Sequence, residues 1–222
     1  MTPMDEILRG FDDLVRAGKI HYAGLSNFPA WRIARGDLLA ELRGWAPIAG
    51  IQIEYSLAQR TADRELLPMA EALGLGAALW SPLGGGFLTG KYRSSDEGRI
   101  NSLLARLVHT EKTARETAIL DAVLAVAKEV GATPTEIAIA WLLHKAAAST
   151  TALIPILGSR TPEQIAGTLG ALNVKLSHAQ IARLDEVSAA PLGTPHEQIN
   201  DSAAAIAGGN PELLNLPSVP VL

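Results

Sequence analysis

At 222 residues, with 48% hydrophobic residues and a mean hydropathy of +0.17, the chain is long enough to bury one large core. Its 19 Lys+Arg against 23 Asp+Glu leave a net charge of −4, which excludes a broad electrostatic footprint for nucleic acid. The lack of cysteine excludes disulfides, Cys-ligated metals and thiol catalysis, and the longest apolar run, 137–148, is broken by His144 and Lys145 short of membrane length.

Met-Thr-Pro-Met-Asp-Glu at the start has neither the basic nor the apolar region of a signal peptide, so a cytoplasmic, enzyme-like protein is expected. Thr2 then reads as an N-cap with Pro3 at the first helical position, and Ile7, Leu8, Phe11, Leu14 and Val15 recur at helical spacing up to Gly18. A short apolar strand over 20–25 runs into Ser26-Asn27-Phe28-Pro29, and a helix follows over 31–43. A second strand over 49–54, a helix over 64–73 closed by Gly74, and a third strand over 77–80 continue the alternation.

The third strand opens through Trp80-Ser81-Pro82 into a loop with Gly84, Gly85, Gly86, Gly90 and then Lys91. A buried strand ending in a Gly-rich loop with a cation is one way to present backbone N–H groups to a phosphate; a flexible turn needing positive φ is the other reading. Residues 92–112 are polar and show no obvious element, which points to a lid or an ordered excursion. Helices follow over 113–130 and from Thr133-Pro134-Thr135-Glu136 to about Lys145. A fourth strand over 152–157 leads into Gly158-Ser159-Arg160, a helix opened by Thr161-Pro162-Glu163, and a last helix over 177–188. The first 190 residues thus form one unit, and 191–222, rich in Ala, Gly, Pro and Asn, is expected to be an extended tail.

Short strands that are apolar on both faces and alternate with helices indicate an α/β fold with a parallel sheet covered by helices. Ligands in such folds gather at the carboxyl ends of the strands. Those ends here read Ser26-Asn27, Gln52 with Tyr55 beyond it, Trp80-Ser81-Pro82 and Gly158-Ser159-Arg160. Any one of them is equally a strand-end turn; four together make a candidate site.

These stretches resemble the aldo-keto reductase family, in particular its bacterial branch near the voltage-gated potassium channel β subunits. The resemblance is carried by Gly24-Leu25-Ser26-Asn27, Gln52-Ile53-Glu54-Tyr55-Ser56-Leu57, Trp80-Ser81-Pro82-Leu83, Leu88-Thr89-Gly90-Lys91-Tyr92 and Gly158-Ser159-Arg160-Thr161-Pro162-Glu163-Gln164, and it runs in unbroken order over about residues 2–188. It implies an NADP(H)-dependent oxidoreductase that reduces aldehydes or ketones on a (β/α)8 barrel. It places Ser26, Asn27 and Gln52 on the nicotinamide carboxamide and Trp80 against the nicotinamide ring. Ser81, Pro82, Leu83, Gly84, Gly85 and Lys91 would form the pyrophosphate loop. Arg160, after Gly158, and Arg99 would meet the adenosine 2′-phosphate, and Gln164 the adenine.

Two departures qualify that implication. Where the family sets an acidic residue and an asparagine on the adenine, this sequence has Gly167 and Thr168, a loss of about 1–3 kcal/mol of polar contact. The resemblance also begins just after the family's fourth strand, so the first four strands and the Asp, Tyr, Lys and His of catalysis have no counterpart in this sequence. None of Tyr22, Tyr55 and Tyr92 matches the proton-donating tyrosine, and the five histidines lack metal or triad spacing. The expectation is a partial (β/α)8 barrel of four parallel strands, weak or inactive alone and completed by homodimerisation; a monomer would expose apolar residues such as Ile51, Ile53, Ala78 and Leu79, depending on register. The alternative is a non-catalytic NADP(H)-binding or interaction module built from a dimeric half-barrel.

Overall fold

In the computed structural model, which describes residues 2–93 and 108–210, strands and helices alternate along the chain. The order is α1 (Met4–Arg16), β1 (Ala23–Ser26), α2 (Ala30–Arg43), β2 (Ile48–Glu54), α3 (Leu66–Ala72) and β3 (Gly76–Trp80). It continues with α4 (Ala114–Val130), α5 (Pro134–Ala148), β4 (Leu153–Pro155), α6 (Pro162–Leu169), α7 (His178–Ser188) and α8 (His196–Ile206). The four strands pair in chain order, all parallel, in one sheet. Parallel neighbours need long crossovers, and the helices supply them.

Local sequence sets the helix ends. The side chains of Thr113, Thr133 and Ser177 each accept a hydrogen bond from the backbone N–H three residues on, and the side-chain oxygens of Glu116, Glu136 and Gln180 accept one from the cap residue's own N–H. Such capping boxes satisfy two otherwise orphaned N–H groups at each helix start. Gly44 and Gly131 close α2 and α4 in the left-handed conformation. Pro3 is the N-cap of α1 rather than its first helical residue.

The sheet has one covered and one open face, and the period of two decides which residues go where. Leu25, Ile51, Ile53, Ala77, Leu79 and Leu153 lie buried under the helices, against Ile119, Val123, Ile137 and Trp141 of α4 and α5. Ile51, Ile53 and Leu79, at 3%, 2% and 0% exposure, are therefore not the residues that an uncovered sheet presents; of the four expected there, only Ala78 faces the open side. Register puts Ser26, Gln52, Ala78 and Ile154 in one row across that open face, and Gly24, Gly50 and Gly76 in the next. A Cβ at Gly50 would stand 2.5 Å from the Gly76 carbonyl oxygen, so this row is tight within the sheet itself.

A polar knot joins the segment after β2 to α7. Arg60 donates to Asp63 (2.5 Å), Asp185 (3.1 Å) and Ser188 (2.9 Å), and its guanidinium lies 4.9 Å from the centre of the Trp141 ring. Trp141 Nε1 donates to Asp185 Oδ1, and the Tyr55 hydroxyl donates to Asp63 at 2.6 Å while its ring stacks on Trp141. Burial, then the neighbouring Asp63, pushes the Tyr55 phenol far above its ordinary range, so this tyrosine is a core hydrogen-bond donor and no acid.

Several boundaries differ from sequence expectation. The first strand starts at Ala23, leaving Tyr22 77% exposed ahead of it. The fourth ends at Pro155, though Ile156 still donates to the Leu79 carbonyl. The stretch after Pro191 is not extended throughout: residues 196–206 form α8, where Ser202-Ala203-Ala204-Ala205 lets helix propensity prevail over the surrounding Pro and Gly.

Candidate functional site

A cleft of about 570 Å³ opens at the carboxyl ends of β3 and β4, lined by the loop after β3 on one side and by residues 156–160 and α6 on the other. Trp80, the last residue of β3, forms part of its wall. Its Nε1 donates to Asn27 Oδ1 at 3.4 Å, which ties it to the end of β1.

Two residues beside Trp80 have left-handed backbone without being glycine: Asn27 (φ 57°) and Ser81 (φ 56°). Each such conformation costs about 1–3 kcal/mol for a non-glycine residue, somewhat less for asparagine. They stand at the ends of β1 and β3, where a site is expected, and the rest of the fold holds them there.

Past Ser81 the chain makes tight turns. Gly84 donates to the Ser81 carbonyl and Gly86 to the Leu83 carbonyl. Gly84, Gly85 and Gly86 follow one another at φ 58°, 69° and 102°, a run that only glycine sustains at low cost. A Cβ at Gly86 would lie 2.9 Å from Cε of Lys91, because the lysine stem folds across this glycine. The Lys91 ammonium sits 4.9 Å over the Tyr92 ring, and the Tyr92 hydroxyl donates to the Gly85 carbonyl. The glycine run and its cation thus form a locked turn, not a loose loop.

Across the cleft, Thr161 caps α6 by accepting from the Gln164 N–H, and Gln164 Oε1 accepts from the Arg160 N–H at 2.9 Å. That pair fixes where the chain turns from β4 into α6 and brings Arg160 to the cleft.

Of the residues singled out from sequence, Trp80, Ser81, Pro82, Leu83, Gly85, Lys91, Gly158, Arg160 and Gln164 line this one cleft. Gly84 is buried beside Gly85 without lining it. Ser26 and Gln52 are register partners on the open face, and Asn27 donates its N–H to the Gln52 carbonyl; these three form a strip leading to Trp80 and do not line the cleft. Arg99 lies outside the described residues, as does most of the expected lid.

Ser159, named at the end of the fourth strand, does line the cleft, whereas sequence reading did not single out Thr89, Thr133 and Thr135 as lining residues. It also set His109 aside, whereas His109 Nε2 lies 2.9 Å from Glu54 Oε1 and its N–H donates to the Gly84 carbonyl. Those contacts pin the described end of the expected lid, from residue 108 on, to the end of β2 and to the glycine turn. No sequence signal marks the pair of His109 and Glu54, since the partners are 55 residues apart. Among the described residues no group of His, Asp and Glu could hold a metal, and no helix is long and apolar enough to cross a membrane.

An aromatic wall, a glycine turn clasped by an ammonium, and a guanidinium at the far side suit an elongated anion with a flat ring at one end. Comparison with known proteins agrees in kind. Residues 1–189 match the model of the aldo/keto reductase family. The chain is 36% identical over 196 residues to an uncharacterized oxidoreductase of Bacillus subtilis, covering 88% of this chain and 57% of that protein. It is 34% identical over 195 residues to a Schizosaccharomyces pombe protein named "Putative voltage-gated potassium channel subunit beta" (84% and 55% covered). It is 31% identical over 194 residues to norsolorinic acid reductase A of Aspergillus parasiticus (87% and 47% covered). The chain spans about half the length of these relatives. With the match running through all four strands and the residues of the cleft, the chain belongs to the aldo/keto reductase family.

Proposed function

We propose that this chain is the cofactor-holding half of an NADP(H)-dependent oxidoreductase that acts on aldehydes or ketones in the cytoplasm. The observation that carries the reading is the pair of left-handed residues, Asn27 and Ser81, on either side of Trp80 at the strand ends. Strain concentrated there is expected where backbone and ring must be held in one pose.

The residues present fit the dinucleotide over most of its length. Bound there, the cofactor would supply or accept the hydride. Trp80 gives the nicotinamide a flat surface, and the Asn27 hydrogen bond fixes the plane of that surface. Ser26, Gln52 and Asn27 offer donors and acceptors to a carboxamide. Lys91 and the glycine turn suit the pyrophosphate, and Arg160 suits a further phosphate through charge-assisted hydrogen bonds.

The lining residues include no tyrosine or histidine. The Tyr92 hydroxyl is committed to Gly85 and His109 Nε2 to Glu54. A developing alkoxide therefore finds no tyrosine or histidine to protonate it in the described cleft, and the Lys91 ammonium lies at the glycine turn, so this chain alone should turn over weakly or not at all. Titration with NADPH, read by tryptophan fluorescence, is the test. Saturable quenching that Trp80→Leu abolishes supports the reading, and an unchanged spectrum refutes it. NADPH oxidation with nitrobenzaldehyde, assayed alongside, should stay near background.

A second reading, a homodimer whose half-barrels close on each other, rests on the edges of β1 and β4, unpaired among the described residues, and on the open face between them. It would leave a non-catalytic cofactor-binding module, and solution molar mass decides it.

A further inference from the structure

We propose that two copies of this chain join through their outer helices, α1 of one packing its stripe Ile7, Phe11 and Leu14 on the stripe Ile165, Leu169 and Leu172 of the other, with the same contact repeated at the opposite edge. This rests on the homodimer reading above and assigns the side chains that hold the pair together.

Both stripes belong to the helices that end the covering layer. The order β1-β2-β3-β4 puts β1 and β4 at the two edges of the sheet. α1 packs on α2, and α6 packs on α5, so each terminal helix is flanked on its inner side. On α1, Met4 and Leu8 are buried. Ile7, Phe11 and Leu14 run beside that buried face at i, i+4, i+7; the first two are only partly buried, and Leu14 is 39% exposed. On α6 the one buried residue is Thr168. Ile165 and Leu169 stand 48% and 49% exposed, and the same spacing continues to Leu172, 69% exposed in the tight turn over 170–173. Apolar side chains aligned in this way on a surface helix mark a face that is to be covered.

The direction of the chain says what covers them. α1 runs into β1, and α6 runs out of β4. Every pair in the sheet is parallel. Adding β1 of a second copy beside β4 in that same sense brings its α1 alongside α6, running the same way, stripe against stripe. One such contact leaves a β1 edge on one copy and a β4 edge on the other, which complement each other, and a two-fold axis makes both contacts at once. Pairing α6 with α6 across the axis would instead set the two β4 strands antiparallel and leave both β1 edges open. Stable pairs bury about 800 Å² per partner, more than one stripe of three half-exposed side chains offers. Closure at both edges uses two stripes, two strand edges and the open face between them.

The chain has no cysteine, so introduced ones report cleanly. The full chain carrying Leu14→Cys and Leu172→Cys, oxidised in air with copper phenanthroline, should give a covalent dimer of twice 23.4 kDa on a denaturing gel, with no larger species, because a closed pair uses up both contacts. Each single cysteine variant should stay uncross-linked, and so should Leu42→Cys with Leu172→Cys, since Leu42 is 74% exposed on α2 outside both stripes. Leu14→Cys with Leu169→Cys serves as a second pair should circular dichroism show that the first disturbs the fold. Leu172→Arg should weaken the dimer at least about tenfold by light scattering on dilution, while Leu42→Arg leaves it intact. A wild-type dimer whose paired variants give no cross-link, a ladder of larger species, or a cross-link from Leu172→Cys alone overturns this inference and leaves the homodimer reading standing. A wild-type protein of single-chain mass overturns the homodimer reading, and this inference falls with it.

Discussion

At the scale of single residues, two glycines on opposite walls of the cleft, Gly86 and Gly167, behave in opposite ways, and geometry tells them apart. Gly86 holds φ 102° with the Lys91 stem against the place where a side chain would go. Gly86→Ala should cost roughly 1–3 kcal/mol of stability by denaturant unfolding and weaken NADPH binding, because the turn and its cation shift together. Gly167 sits in α6 with ordinary helical backbone and empty space beside it. Gly167→Ala should stabilise the protein by about 0.5–1 kcal/mol and leave nucleotide affinity unchanged. Arg160→Met separates charge from shape: NADPH affinity should fall about tenfold while NADH affinity holds, and an equal fall for both would place the 2′-phosphate elsewhere. The cleft residues were legible in the sequence because they come in short runs whose backbone needs are local: Trp80-Ser81-Pro82, the glycine run, Gly158-Ser159-Arg160. The commitment of His109 to Glu54 was not legible, since it depends on which neighbour the fold delivers from 55 residues away.

At the scale of elements, the helices were readable from caps and apolar spacing, and their energetics follow from the same caps. Burial alone would raise the Glu116 carboxyl, but the N–H groups of Lys112 and Thr113 and the Thr113 hydroxyl outweigh it and hold it below its ordinary value of 4.5. A carboxylate with a depressed folded-state pKa contributes stability that is present above the unfolded value and is lost as pH falls through the folded one. The stability advantage of wild type over Glu116→Gln should therefore be full at pH 7 and shrink progressively below about pH 4.5, measured by thermal unfolding across pH. Thr113→Ala should cost about 1 kcal/mol at neutral pH. The knot around Arg60 is the larger element-scale effect. Asp185→Ala would strip an ion-pair partner from Arg60 and the acceptor from Trp141 Nε1. With Asp63 still paired to Arg60, the expected loss is about 2–3 kcal/mol by urea unfolding, below that of a fully orphaned buried charge. A loss under about 0.5 kcal/mol would show that the knot is solvated and structurally idle.

At the scale of the whole molecule, what sequence could not supply was the identity of the open face. The strands read as apolar on both faces, and which set of side chains meets the helices depends on register with the crossover, where a shift of one residue reverses it. The observed choice buries Ile51, Ile53 and Leu79 and leaves outside the glycine row of Gly24, Gly50 and Gly76 beside the mixed row of Ser26, Gln52, Ala78 and Ile154. A sheet that covers such a face has to bring volume with it, as small positions pack against large ones. In the homodimer reading, Gln52 and Ile154 are the side chains of the open row large enough to fill the glycine row of a second copy. Ile154, on edge strand β4 and 59% exposed, is the one large apolar side chain in the row. In the homodimer reading, light scattering gives twice the 23.4 kDa of one chain, and Ile154→Arg returns the mass to 23.4 kDa with the helical content intact. A wild-type protein that already scatters as a folded single chain removes the dimer. The volume missing from the glycine row would then have to come from a different sheet, one whose facing side chains are large.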